Sequence, residues 1–214
     1  VTFFPQLIAG PIVHHKRMMP QFAKGVLERL KLENLAAGIT TFIIGLFKKV
    51  FLADNIAFFA TPAFNAAEYG FNLTFFEAWG AALAYTFQLY FDFSGYSDMA
   101  VGLGLMFGIA LPINFLSPFK TKNISEFWRC WHISLSKFIR DYLYYPISLS
   151  LTRYVLNKNL GNIGIFTLGI FIPTMFAFFL AGLWHGPAWH FVLFGLFHGT
   201  YIVIYNIWIK IINM

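Results

Sequence analysis

Charge is scarce in this chain. Asp, Glu, Lys and Arg together make up 11% of its 214 residues, against about 25% in an ordinary soluble domain. Acids are fewer than bases, 9 against 15, which gives a formal net charge of +6. The bases form no dense run interleaved with aromatics, so no nucleic-acid partner is read from them; in a membrane chain they mark cytoplasmic loops. Cysteine occurs once, at Cys130, which excludes an internal disulfide framework and a cysteine-based zinc site. No basic segment followed by a short apolar stretch and a small-residue cleavage site opens the sequence, so no signal peptide is visible. The first residue is Val1 rather than Met, and Met214 follows soon after Ile207-Trp208-Ile209 with no soluble tail. This reads as the central portion of a longer polytopic protein. Apolar side chains are abundant instead: 58% of residues are hydrophobic, 28 are Phe, and the mean hydropathy is +0.65. That composition excludes a disordered chain, a collagen and a coiled coil, and argues against a water-soluble domain. The expectation is an all-α integral membrane protein, one transmembrane domain over residues 1–214.

From Asn159 to Ile209 no Asp, Glu, Lys or Arg occurs. As one helix this stretch would be more than twice as long as the roughly 30 Å hydrocarbon core. Two spans are therefore predicted, Ile163–Leu183 and Trp189–Ile209, broken at Trp184-His185-Gly186-Pro187 where Gly and Pro supply turn chemistry. Leu35–Phe47 runs into Lys48-Lys49 and reaches Ala53 as a further span. Residues 50–119 hold no Lys or Arg but carry Asp54, Glu68, Glu77, Asp92 and Asp98. Lys16–Lys31 and Lys48-Lys49 thus read as cytoplasmic and Thr61–Thr74 as an external loop. Phe75–Phe91 and Met99–Phe115 are apolar stretches separated by Asp92–Asp98, read together as one long broken or re-entrant element. Ile124–Ser150 shows amphipathic spacing, with Ser125 as its cap and Glu126 in its first turn, and reads as an interfacial or re-entrant helix.

Ionisable groups at membrane depth are costly and mark functional candidates. His185 stands at a helix break, where a neutral imidazole can serve as a general base; the structural alternative is an interfacial loop with Trp184 and Trp189 as belt residues. His132 lies in Phe127-Trp128-Arg129-Cys130-Trp131-His132-Ile133-Ser134, where the alternative is headgroup anchoring by Trp and Arg. Cys130 is a poor nucleophile partner for it, because residues i and i+2 do not face each other on a helix. Asp92 and Asp98 read either as structural partners of a cation such as Arg129 or Arg140, or as an ion or proton path. His190 and His198 share a helix face without a carboxylate nearby, which suits hydrogen-bonded bundle histidines better than a metal. His14-His15-Lys16-Arg17 reads as a juxtamembrane cluster.

Four of these segments together resemble motifs of one family. Phe3-Phe4-Pro5-Gln6-Leu7-Ile8-Ala9-Gly10-Pro11-Ile12, Phe91-Asp92-Phe93-Ser94-Gly95-Tyr96-Ser97-Asp98, Trp131-His132-Ile133-Ser134-Leu135-Ser136 running on to Arg140-Asp141-Tyr142 and Tyr145-Pro146, and Gly182-Leu183-Trp184-His185-Gly186 are similar, in order, to motifs of the membrane-bound O-acyltransferases, in particular their alginate O-acetyltransferase branch. The resemblance implies a ring of transmembrane helices, some broken or re-entrant, around a thinned centre with a tunnel open to both faces. It implies a multi-pass protein of the bacterial cytoplasmic membrane. It makes His185 the catalytic residue and puts His132 on the same path, with Asp92, Asp98, Trp131, Trp184, Arg140 and Asp141 as substrate-path candidates. The branch moves acetyl groups toward an extracytoplasmic polysaccharide, usually with a separate extracytoplasmic acetyltransferase, and a related branch transfers D-alanine to teichoic acids. Cys130 and His190 depart from the residues common in the branch.

The chemistry expected is acetyl transfer from a cytoplasmic thioester such as acetyl-CoA to a hydroxyl, with no bound cofactor or metal and no covalent enzyme intermediate. His185 takes the hydroxyl proton, and His132 orients the acceptor or polarises the acyl carbonyl. The rivals are D-alanyl transfer on the same fold, a secondary-transporter fragment in which Asp92 and Asp98 dominate, and a purely structural membrane subunit.

Overall fold

The computed structural model describes residues 3–6, 10–23, 25 and 30–212, and every regular element among them is helical. Leu7, Ile8 and Ala9 of the first motif, residues 24 and 26–29 of the basic Lys16–Lys31 stretch, and the terminal residues Val1 and Met214 lie outside the described residues. The chain divides into two compact units, one ending at Phe115 and one beginning at Leu116.

In the first unit a turn of 3-10 helix (Phe4–Gln6) leads to α1 (His15–Phe22). His14 caps α1, its Nδ1 accepting from the Lys16 backbone N–H at 3.2 Å. Two long helices follow, α2 (Leu32–Glu68) and α3 (Phe75–Met106). Inside α2, Phe47–Ala53 is wound as π-helix. Helix α3 starts with a capping box: Thr74 and Glu77 each bond the other's backbone N–H, which satisfies two of the donors a helix start leaves open.

Two sequence expectations are corrected here. The loop expected over Thr61–Thr74 begins only at Tyr69, because α2 continues to Glu68 with Pro62 inside it. Alanines at 57, 60, 63, 66 and 67 favour helix, Ala60 is buried, and Phe64 packs on Tyr85 at 5.2 Å; this packing outweighs the proline. Nor does Asp92–Asp98 break α3, which runs through it as continuous helix. Ser94, Gly95 and Ser97 are buried, so these small residues form a packing face rather than a turn. The helix ends at Met106, short of the expected Phe115.

The α2–α3 contact explains that face. Lipid gives no hydrophobic drive between helices, so close packing of small residues must hold them. Gly38 and Gly45 on α2 stand against Gly102 and Gly95 on antiparallel α3: a Cβ on Gly45 would lie 2.6 Å from the Gly95 carbonyl oxygen, and one on Gly102 the same distance from that of Gly38. Charge is neutralised along the same seam. Lys48 Nζ pairs with Asp98 at 2.5 Å, and Lys49 Nζ bridges Asp92 at 2.6 Å and Asp54 at 2.7 Å. The cations that hold Asp92 and Asp98 are thus the lysines of α2, not Arg129 or Arg140. The hairpin makes this pairing local, whereas the sequence separates the partners by some 50 residues.

The second unit holds a 3-10 turn (Pro118–Lys120), α4 (Ile124–Cys130), α5 (Ile133–Ile139), a π-helical stretch (Arg140–Tyr144) running into α6 (Tyr145–Asn157), then α7 (Gly161–His185) and α8 (Trp189–Ile212). The single amphipathic helix expected over Ile124–Ser150 is corrected in two respects. Its cap is Asn123, whose Oδ1 accepts from the Glu126 N–H at 2.9 Å, rather than Ser125. It also breaks at Trp131-His132. By contrast α7 and α8 fall within three residues of the expected ends. They too meet through glycines: a Cβ on Gly182 would collide with the Phe191 carbonyl oxygen, and one on Gly195 with that of Phe178.

Helices α2, α7 and α8 are long and apolar enough to cross a bilayer. Most large apolar side chains point outward, while the buried positions of α2 and α3 are Gly, Ala, Ser and Val. This inside-out distribution suits a lipid surround, where exposed Phe and Ile carry no penalty.

Candidate functional site

The site is built where α4 ends and where α7 gives way to α8. Helix α4 stops at Cys130, Trp131 is extended, and His132 adopts φ 40°, ψ 57° before α5 begins. This is the left-handed region, which costs a non-glycine residue about 1–2 kcal/mol and which His visits more readily than most. The turn is held from both sides: Leu116 N–H donates to the Cys130 carbonyl at 3.0 Å, Ser136 N–H donates to that of His132 at 3.0 Å, and Ser136 Oγ donates to that of Trp131 at 3.2 Å. Strain of this kind persists only where the surroundings over-determine it, and it collects at functional sites. The amphipathic spacing carries no signal of it.

The conformation itself is testable. His132→Asn is expected to keep the thermal midpoint of the wild type, because Asn tolerates positive φ, whereas the β-branched His132→Val is expected to lose about 1–2 kcal/mol or more. Equal midpoints for the two variants would remove the strained turn from the account.

His132 is 6% exposed. Burial pushes its pKa down to about 4, and a charge on nearby His185 pushes in the same direction. At neutral pH it is therefore an uncharged imidazole that acts through one N–H and one lone pair. Packing links the segments that carry the two histidines: Trp128, four residues before His132, lies against Phe194, which lies against His185.

His185 is the last residue of α7 and is exposed. Its ring lies edge-on to Trp184 at 5.1 Å and Phe194 at 5.7 Å and stacks on Phe191 at 6.1 Å. Gly186-Pro187-Ala188 then turns the chain into α8, as expected from the sequence. The arrangement is an accessible imidazole on an aromatic wall, with a buried neutral imidazole beside it.

The other candidates occupy different places. Trp184 is 63% exposed beside His185. Trp131 stacks on Phe127 at 5.6 Å and 17°. Arg140 Nε pairs with Asp141 at 2.9 Å, and the guanidinium lies 5.7 Å from the Tyr145 ring centre. Asp92 and Asp98 are held by Lys49 and Lys48 in the first unit. His190 is exposed on Phe191, while His198 points inward onto Trp128 and Phe194. Among the described residues no three His, Cys, Asp or Glu side chains converge as a metal-binding group.

Comparison with known proteins gives this geometry a context. Across 206 residues the chain is 48% identical to a peptidoglycan O-acetyltransferase of Helicobacter pylori, covering 96% of this chain and 36% of that protein. It is 45% identical over 204 residues to a probable alginate O-acetylase of Azotobacter vinelandii, covering 95% and 37%. A teichoic acid D-alanyltransferase of Bacillus subtilis is 33% identical over 216 residues, covering 98% and 51%. The chain spans little more than a third of the length of the first two relatives. The model of the membrane-bound O-acyltransferase family matches residues 1–214. With its membrane-spanning helices and all four motif segments, the chain belongs to the membrane-bound O-acyltransferase family.

Proposed function

We propose that the complete protein transfers an acetyl group from a cytoplasmic thioester, such as acetyl-CoA, to hydroxyls of an extracytoplasmic polysaccharide. The observation that carries this reading is accessible His185 at the end of an apolar helix, on an aromatic wall whose Phe194 also packs on Trp128, one turn before buried His132. A hydroxyl is a poor nucleophile until a base removes its proton. His185 takes that proton as the hydroxyl oxygen bonds the acyl carbon. The carbon–sulfur bond breaks, and the leaving thiolate takes up the proton that His185 accepted, which returns the imidazole to its neutral form. His132, uncharged, donates its N–H to the acyl carbonyl or to the acceptor, in a site dry enough to strengthen the bond. Trp184 and Trp131 wall the path. Asp92 and Asp98 act through their pairs with Lys49 and Lys48, which hold α2 and α3 in register, and Arg140 and Asp141, paired with each other, flank the substrate path. A separate extracytoplasmic acetyltransferase completes the delivery. The names of the more similar relatives, which specify O-acetylation, favour acetyl over D-alanyl transfer.

The test is transfer across a membrane. The complete protein is placed in vesicles with labelled acetyl-CoA at the cytoplasmic face, and polysaccharide together with the separate extracytoplasmic acetyltransferase at the other. The expected result is label in base-labile esters on the polysaccharide, and none from a D-alanyl thioester. Label that never reaches a hydroxyl, or transfer of D-alanine alone, would overturn the reading.

A further inference from the structure

His198, outside the chemistry so far described, has a buried Nδ1 with no hydrogen-bond partner. The indole Nε1–H of Trp128 is in the same condition, and the two rings meet edge to face at 4.9 Å and 88°. Leaving a buried donor or acceptor unpaired costs about 1–3 kcal/mol per group, and native structures seldom accept it. These two groups are complementary. An indole N–H only donates, and Nδ1 accepts when the imidazole proton is on Nε2.

Their location adds meaning. Trp128 lies on α4, one helical turn before the strained His132, and packs on Phe178 of α7 and Phe194 of α8 at 5.3 and 6.4 Å. Phe194 also touches His185 at 5.7 Å and His198 at 4.6 Å. The aromatic contact between α4 and the α7–α8 pair thus includes Phe194, which lies against Trp128, His198 and His185 alike.

We propose that His198 is a positioning residue: its Nδ1 accepts a hydrogen bond from Trp128 Nε1–H, and this joint fixes the spacing of His132 and His185. The positioning role rests on the acyl-transfer reading; the hydrogen bond does not. Apolar packing alone would let α4 slide or roll on α7 and α8, whereas a directional bond selects one register.

The experiment uses the complete protein with His198→Phe, Trp128→Phe, the double variant and His198→Asn. Each aromatic single variant is expected to lower kcat for acetyl transfer about tenfold, the kinetic equivalent of one buried hydrogen bond, with KM for the acetyl donor unchanged. The double variant is expected to be no slower than either single one, since both remove the same bond. His198→Asn, which returns an amide oxygen near the position of Nδ1, is expected to recover most of the rate. Single variants within twofold of wild type, losses that multiply in the double variant, or a loss confined to KM would overturn the positioning role. An activity-independent arm follows the fluorine resonance of 5-fluorotryptophan at position 128, assigned by its disappearance in Trp128→Phe. It is expected to shift in His198→Phe and to return toward its place in His198→Asn. A resonance that ignores both changes would overturn the bond itself. A shifted resonance in a protein that transfers no acetyl group would overturn the transferase reading and the positioning role with it, and leave the bond standing.

Discussion

In the complete protein, His185→Ala is expected to reduce acetyl transfer by about 10²–10⁴-fold, the usual contribution of a positioned general base, while membrane insertion and thermal stability stay near wild type. The second half of this expectation follows from where the residue sits. His185 is exposed at the last turn of α7, and its contacts are the sides of Trp184, Phe191 and Phe194. The α7–α8 seam is made elsewhere, by Gly182 and Gly195, so losing the ring opens no cavity in it. The first half follows from chemistry. His185 is in the open, whereas His132 is buried and held uncharged with a pKa of about 4, a weak base for a hydroxyl proton. His185→Gln separates the two ways an imidazole can help. Glutamine keeps a hydrogen-bonding group but cannot take a proton at neutral pH, so it is expected to be as inactive as alanine. Added imidazole is expected to restore part of the rate to His185→Ala alone. The assignment fails if the alanine variant, correctly inserted, transfers acetyl groups at a wild-type rate.

The second large effect is structural. Gly95→Leu is expected to prevent recovery of a folded, monodisperse protein, whereas Gly80→Leu on the same helix is expected to leave the thermal midpoint within a degree or two of wild type. Overpacking a core usually costs about 1–3 kcal/mol, because neighbouring side chains can shift. At Gly95 the first atom that an added Cβ meets is the Gly45 carbonyl oxygen, at 2.7 Å, with the Lys49 backbone nitrogen at 3.0 Å. Backbone cannot rotate away, so α2 and α3 must separate. Separation also pulls Lys48 from Asp98 and Lys49 from Asp92, leaving charges unpaired beside lipid, which adds to the loss. At Gly80 nothing lies within 4 Å of a Cβ. The comparison is read as yield and melting in detergent; like behaviour of the two variants would show that the seam does not hold the pair.

These outcomes bear on what could be read from the chain itself. Helices α7 and α8 were legible because a charge-free stretch of that length admits two spans and because Gly186-Pro187 sits between them. The position of His185 at that break was legible for the same reason: a titratable residue there is conspicuous against so apolar a background. The course of α3 was not, because Ser94-Gly95 has the composition of a turn in water and of a contact face between membrane helices, and only the partner decides which. The pairing of Lys48 with Asp98 depends on the α2–α3 hairpin folding back on itself, which no local pattern encodes. The left-handed turn at His132 was hidden most completely. The apolar spacing of Phe127, Trp131, Leu135 and Phe138 continues across it as though the helix were unbroken, while hydrogen bonds from Leu116 and Ser136 decide otherwise.

The π-helical stretches have a consequence for chain length. In Phe47–Ala53 each backbone bond closes over one residue more than in the α-helix on either side. Removing a single residue there lets the ladder relax to ordinary α-helix while both flanking segments keep their phase. A deletion between Gly38 and Gly45 would instead turn one of those glycines about 100° away from its partner on α3. A one-residue deletion at Phe47–Ala53, and by the same reasoning at Arg140–Tyr144 or Ile165–Phe171, would therefore leave the glycine seams in register.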